Sequence, residues 1–154
     1  MHRNCEAIDA ILVAAGLPGR VRMLPEAATT ARAAADQIGC QVGAIANSLI
    51  FATDADEPVL IMVSGAHRVD LALVGEALRT ALHRAGPEFV RQHTGQPIGG
   101  VAPIGHPRPI PTVIDRDLAG YDELWAAGGI PHAVFPLRYA DLVRLTGGRE
   151  LDVG

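Results

Sequence analysis

The sequence predicts one mixed α+β domain spanning residues 1–154. Three observations carry that reading. A chain of 154 residues has the length of one core and can bury most of its apolar surface without a metal or a disulfide. Runs with strand character and runs with helical spacing follow one another without strict alternation, which favours α+β over a doubly wound sheet. Residues that cap or stop helices fall at the joints between the runs.

Asn4 is placed to cap a first helix, because Ile8, Leu12 and Ala15 lie at helical spacing and Gly16 offers a left-handed stop. Val21-Arg22-Met23-Leu24 reads as a short strand. Thr29 or Thr30 caps a second helix from Ala31 to Ile38, closed by Gly39, in an alanine-rich stretch that favours helix. Ser48 to Ala52 and Val59 to Val63 are apolar runs flanking Asp54-Ala55-Asp56-Glu57-Pro58, a hairpin with a long turn. Asp70 caps a helix through Leu71, Val74 and Leu78, Ala81 to Ala85 forms a short strand, and Pro87 opens a helix through Phe89 and Val90 toward Gly95. Strands are expected at Pro111 to Ile114, Glu123 to Ala127 and Ala133 to Leu137. A last helix from Tyr139 to Leu145 stops at Gly147-Gly148. No repeat, low-complexity tail or linker interrupts the order.

Composition removes several function classes. The net charge of −4 argues against wholesale capture of nucleic acid, whose affinity comes largely from phosphate neutralisation. Any RNA contact must use a local patch, for which Arg84, Arg91, His93 and Arg108 beside a glycine loop are the candidates. All 13 basic residues are arginine, and lysine is absent. No apolar run approaches the roughly 18 residues of a membrane span. Glu6 and Asp9 interrupt the N-terminal segment, unlike a signal peptide, so the cytoplasm is the expected compartment. Cys5 and Cys40 read as small buried hydrophobes. The six histidines, at 2, 67, 83, 93, 106 and 132, show no metal-ligand spacing on one helix, and no metal site is expected. Phosphate-binding loop, dinucleotide fingerprint, zinc-binding helix pair and nucleophile elbow are all missing.

One stretch stands apart, Pro97-Ile98-Gly99-Gly100-Val101-Ala102-Pro103-Ile104-Gly105-His106-Pro107. Gly99-Gly100 lets backbone N–H groups approach a ligand, while Pro97, Pro103 and Pro107 restrict the chain. Such a loop can offer preorganised donors to an ester carbonyl or its oxyanion, or it can be an ordinary turn from helix to strand. A second pair, Gly128-Gly129-Ile130-Pro131, follows the strand holding Trp125, and the two turns could form opposite walls of one cleft.

The segment His93 to Gly105 resembles the signature of the YbaK/ProX (YbaK/EbsC) family of aminoacyl-tRNA deacylases, related to the editing domain of prolyl-tRNA synthetase. Ser64-Gly65-Ala66-His67-Arg68-Val69-Asp70-Leu71, Asp115 after its strand, and Ala140-Asp141-Leu142-Val143-Arg144-Leu145-Thr146-Gly147 agree in order and spacing, over residues 25–153. The resemblance implies a curved sheet wrapped by helices, and hydrolysis of mischarged tRNA, often proline tRNA bearing cysteine or alanine. It implies a tRNA acceptor end as partner, with a synthetase as a second partner, and no metal or organic cofactor. Asn47, Gly99, Gly100, Val101 and Gly128 would then stand at the reacting ester. Ser48, Ser64, Gly65, His67, Pro103, Gly105, Asp115, Gly129 and His132 would stand along the substrate.

The pattern departs in one place: the family usually carries a lysine where this chain has Asn47. An amide offers hydrogen bonds without charge, and Arg68 or Arg22 is left to supply the charge. Asn47 could bond the ribose or amine of the substrate, or satisfy a strand-end backbone group. Ser48 and Ser64 could position water, although no base accompanies a nucleophilic serine. His67 could touch the acceptor end or simply be exposed. Asp115 could meet the substrate amine or stabilise a turn, and the turn is the expectation. His132 could line the amino-acid pocket or mark a strand edge. A noncatalytic module that binds tRNA ends or a synthetase is the alternative function.

Overall fold

A computed structural model describes all residues from Met1 to Gly154. Helix α1 (Arg3–Ala14) comes first, followed by β1 (Arg22–Met23), α2 (Ala31–Ile38), β2 (Ile45–Thr53) and β3 (Pro58–Ser64). Next come α3 (Leu71–Leu78), β4 (Leu82–Arg84), α4 (Pro87–Thr94), β5 (Thr112–Asp115) and β6 (Leu124–Ala127). The chain finishes with β7 (Ala133–Leu137), α5 (Tyr139–Thr146) and β8 (Arg149–Leu151). Short 3-10 turns at Val42–Ala44 and Arg116–Gly120 were not expected from sequence.

Local chemistry explains most boundaries. The Thr30 hydroxyl accepts from Ala33 N at 3.1 Å, and Gly39 closes α2 at φ +85°. Asp70 Oδ1 accepts from Ala72 N and Leu73 N, both at 3.1 Å, which starts α3 where its side chain predicts. Asn4 does not cap α1. His2 does, its Nδ1 accepting from Asn4 N, while the Asn4 amide donates to Gly129 O at 3.0 Å. A short polar side chain can serve the backbone of its own helix or of another element, and here a tertiary partner takes it.

All eight strands join one mixed sheet in the order β1-β7-β6-β2-β3-β5-β8, with β4 added beside β2. The helices and the glycine loop pack on its two faces. One face rests on a large core that includes Leu60, Met62, Ile114 and Phe135 of the sheet together with Ile8 and Leu12 of α1. On the other face the apolar residues divide. Ile45, Trp125 and Val134 pack with Ala31, Ala34 and Ala35 of α2, whereas Val59, Ile61 and Val63 pack with Val74 of α3.

The decisive feature lies along β2. Its partner β3 runs from the Ala46↔Ser64 pair to Ala52↔Pro58, occupying one edge throughout. The other edge is shared, by β6 at Ile45 and Ala46 and by β4 at Phe51 to Thr53. Residues 47–50 therefore have no strand beside them on that edge. The sheet splits there, and the split exposes backbone that a continuous sheet would pair.

Candidate active site

A cleft of about 660 Å³ occupies the split. Residues 45–51 of β2 line it, with Thr29, Thr30 and Ala34 around α2, His67 to Val69 before α3, Arg84 and Ala85 at the end of β4, and Ile98, Gly99 and Val101 of the glycine loop. Val63, Trp125 to Ala127, Pro131, Ala133 and Val134 also line it.

Asn47 is the first residue of the unpaired edge and is half-buried. Its side-chain amide makes no hydrogen bond to any protein group, so it does not serve a strand-end backbone group. Alternation along β2 sends Asn47 and Ser48 to opposite faces. Ser48 lines the cleft, but its hydroxyl donates to Met62 Sδ at 3.2 Å and has no base beside it.

The glycine loop divides its work. Pro97 O accepts from Gly100 N at 3.0 Å in a turn that needs Gly99 at φ +87°. The Gly100 N–H is thus engaged, and a Cβ at Gly100 would strike the backbone of Ile130 and Pro131. Gly99 and Val101 line the cleft, and neither N–H has an acceptor within the protein. Behind them, Gln96, 3% exposed, clamps the loop: its Oε1 accepts from Ala102 N at 2.6 Å and its Nε2 donates to Ile104 O at 3.1 Å. His106 adds a bond between Nε2 and Ala102 O at 2.8 Å. Pro103 is buried within this loop and Gly105 is a positive-φ turn, both away from the cleft.

The second glycine pair is not an opposite wall. Gly128 N donates to Ala133 O at 2.8 Å, and Gly129, at φ +103°, lies against Asn4 of α1. Neither lines the cleft; the close fit of Gly100 on Ile130 and Pro131 makes the two loops neighbours. His132 is exposed and outside the cleft, its carbonyl accepting from Leu24 N beside β1, which is the strand-edge alternative.

Ser64, Gly65, His67 and Asp115 form one bracket at the other side. Ser64 is 1% exposed and its hydroxyl donates to Gly43 O at 2.7 Å, so it positions no water. Gly65 packs against Val42 where no Cβ fits. Asp115 stabilises the turn: Oδ1 accepts from Asp117 N at 3.0 Å and Oδ2 from Ser64 N at 2.9 Å. His67 reaches the cleft with Nδ1 3.0 Å from Asp115 Oδ2 and Nε2 3.2 Å from Asp117 Oδ2. These three residues are the one group of side chains close enough to suggest a metal. Each ring nitrogen faces a different carboxylate, however, which fixes the imidazole rather than converging three donors on one point.

Charge at the cleft is one-sided. Arg68 and Arg84 line it, both exposed and free of ion pairs, while no aspartate or glutamate does so. Of the expected patch only Arg84 belongs here; Arg91, His93 and Arg108 lie outside the lining. Arg22 instead stacks over the Trp125 ring, 5.1 Å from its centroid. Burial pushes the thiols of Cys5 and Cys40 up, away from nucleophilic character, and Cys40 is only half-buried.

Sequence reasoning missed Gln96 and the apolar liners Leu49, Phe51 and Val63. Gln96 lay inside the recognised motif, and a buried amide flanked by turn residues was its only signal.

The fold matches that of known proteins. The structure superposes on a protein proposed as a trans-editing enzyme for prolyl-tRNA synthetase with a TM-score of 0.92 and 38% identity, covering 99% of this chain and 98% of that one. A scaffold protein from work on epitope backbone grafting by computational design gives a TM-score of 0.92 at 35% identity, with the same coverage of 99% and 98%. The uncharacterized protein YwhH of Bacillus subtilis (strain 168) is 27% identical over 113 residues, 73% of this chain and 72% of its own. The family model for the aminoacyl-tRNA editing domain matches residues 25–145, from the loop before α2 to the end of α5, and thus spans every wall of the cleft. By that match the chain belongs to the aminoacyl-tRNA editing-domain family, the YbaK-like deacylases.

Proposed function

We propose that this protein is a trans-acting deacylase that hydrolyses the ester of mischarged tRNA, proline tRNA or a similar one, carrying a small or polar amino acid. The observation that carries the reading is that unpartnered donors line one cleft: the Asn47 amide and the N–H groups of Gly99 and Val101. Water attacks the ester carbonyl, the oxygen gains negative charge, and donors already in place stabilise it without reorganising. Gly100 and Gly128 act one step back, holding the wall in shape. The walls suit an uncharged side chain, since Ile45, Val63 and Trp125 are apolar and Thr29 and Thr30 add hydroxyls. The acceptor end lies along Arg68 and Arg84, which supply the positive charge that the missing lysine would bring, and the cytoplasm is the place of work. A synthetase partner would add affinity for the rest of the tRNA.

The test is deacylation of proline tRNA charged with alanine, cysteine, serine or threonine. Turnover by the wild type is expected, with Asn47→Ala lowering kcat/KM about 100-fold, as loss of one oxyanion donor does. Binding of the charged tRNA without turnover would favour the noncatalytic module instead, and turnover restored by Asn47→Lys would locate the defect at the departed lysine.

A further inference from the structure

We propose that the cleft takes its substrate with an uncharged α-amine, so that N-acylated aminoacyl esters, such as an N-acetyl- or N-formyl-aminoacyl nucleotide end, are a further substrate class. The proposal rests on the deacylase reading and adds to it which charge state enters. The chain carries 17 aspartates and glutamates, yet none lines the cleft. The two carboxylates near its wall, Asp115 and Asp117, are turned to the His67 ring, and Asp115 is further occupied by the amides of Ser64 and Asp117. The charged groups that do line it, Arg68 and Arg84, are cations without counter-ions.

With Arg68 and Arg84 taken by the acceptor-end phosphates, an α-ammonium entering this space would meet largely apolar walls and no carboxylate to offset its desolvation. An α-amino group ordinarily titrates at about 7.7–8.0, so near neutral pH much of it is charged and the cleft selects the neutral remainder. Acylation removes the charge altogether. The resulting amide presents one donor and one acceptor, and the free Asn47 amide can meet both. Water oxygen bonds to the ester carbonyl carbon, the carbon–oxygen bond to the ribose breaks, and the ribose oxygen takes a proton. The products are the N-acylamino acid and a free hydroxyl terminus, with no other reactant required. By the same reasoning a lysyl ester, whose ammonium cannot be neutral near pH 7, is a poor substrate.

The experiment compares a minihelix charged with alanine against the same minihelix after N-acetylation, each corrected for uncatalysed hydrolysis, at pH 6.5 and pH 8. Between pH 8 and 6.5 the alanyl substrate is expected to lose about tenfold in kcat/KM with its neutral amine fraction, while the acetylated one is nearly level. At pH 6.5 the acetylated substrate is therefore cleaved faster. If it is cleaved more slowly there while the alanyl ester turns over, the amine is recognised as ammonium and the proposal falls with the deacylase reading intact. If neither ester is cleaved, both fall. Asn47→Asp, which sets a carboxylate in the wall, is expected to reverse the order at pH 6.5, and an unchanged order would overturn the charge argument.

Discussion

Gln96 and Asn47 are two amides with opposite employment. Gln96 spends its side chain on Ala102 N and Ile104 O inside the protein, and Asn47 spends its own on nothing. Replacing Gln96 by leucine leaves a buried N–H and a buried carbonyl unpaired, each at a cost of about 1–3 kcal/mol. Gln96→Leu is expected to lower unfolding free energy by about 2–6 kcal/mol, read from the urea midpoint. Asn47→Ala removes no internal bond and is expected to change stability by less than about 0.5 kcal/mol while activity falls. The pair separates folding from function. Neither role was legible from residue type, because an amide's partners lie wherever the loop closes.

The glycine loop works as an element because it is held from behind. His106 packs beneath it, and burial pushes the imidazole below the ordinary histidine range, partly opposed by the hydrogen bond with Ala102 O. The folded protein thus holds His106 proton-poor, while the unfolded chain takes its proton at about pH 6.5. Below that value the unfolded state binds more protons than the native one, so stability is lost as pH falls from about 6.5 toward the depressed folded value. Denaturation at pH 5 and 7.5 is expected to show a lower midpoint at pH 5, with His106→Gln flattening the difference. Equal falls in both proteins would assign the effect elsewhere. The motif showed the loop's stiffness through its prolines, but the buried histidine under it required the loop to fold over the core.

Across the whole molecule, an acidic chain of net charge −4 gathers unpaired arginine where the sheet splits. Two guanidiniums neutralising two phosphates of a single-stranded acceptor end give a log–log salt slope of about −1.4. Arg68→Gln or Arg84→Gln is expected to reduce that slope by about 0.7, measured by RNA binding across a salt series. A slope near zero would mean that affinity comes from the apolar walls. Only Arg84 of the patch expected from sequence lines the cleft; Arg68, named there only as a stand-in for lysine, lines it too.

Local chemistry determines most of the elements. Thr30, Asp70 and Gly39 mark helix ends through bonds made within a turn, Pro87 does so through its fixed φ, and the hairpin of β2 and β3 follows from adjacent apolar runs. Arg149-Glu150-Leu151 has no strand pattern, and β8 extends only by pairing with β5. The motifs carried the family resemblance, and Asn47, Gly99 and Val101, expected at the ester, line the cleft. What the tertiary structure alone decided is which glycine faces the cleft and which supports it, and that β4 and β6 share one edge of β2. Those are relations between distant segments, set by sheet pairing and close packing, and no local propensity encodes them.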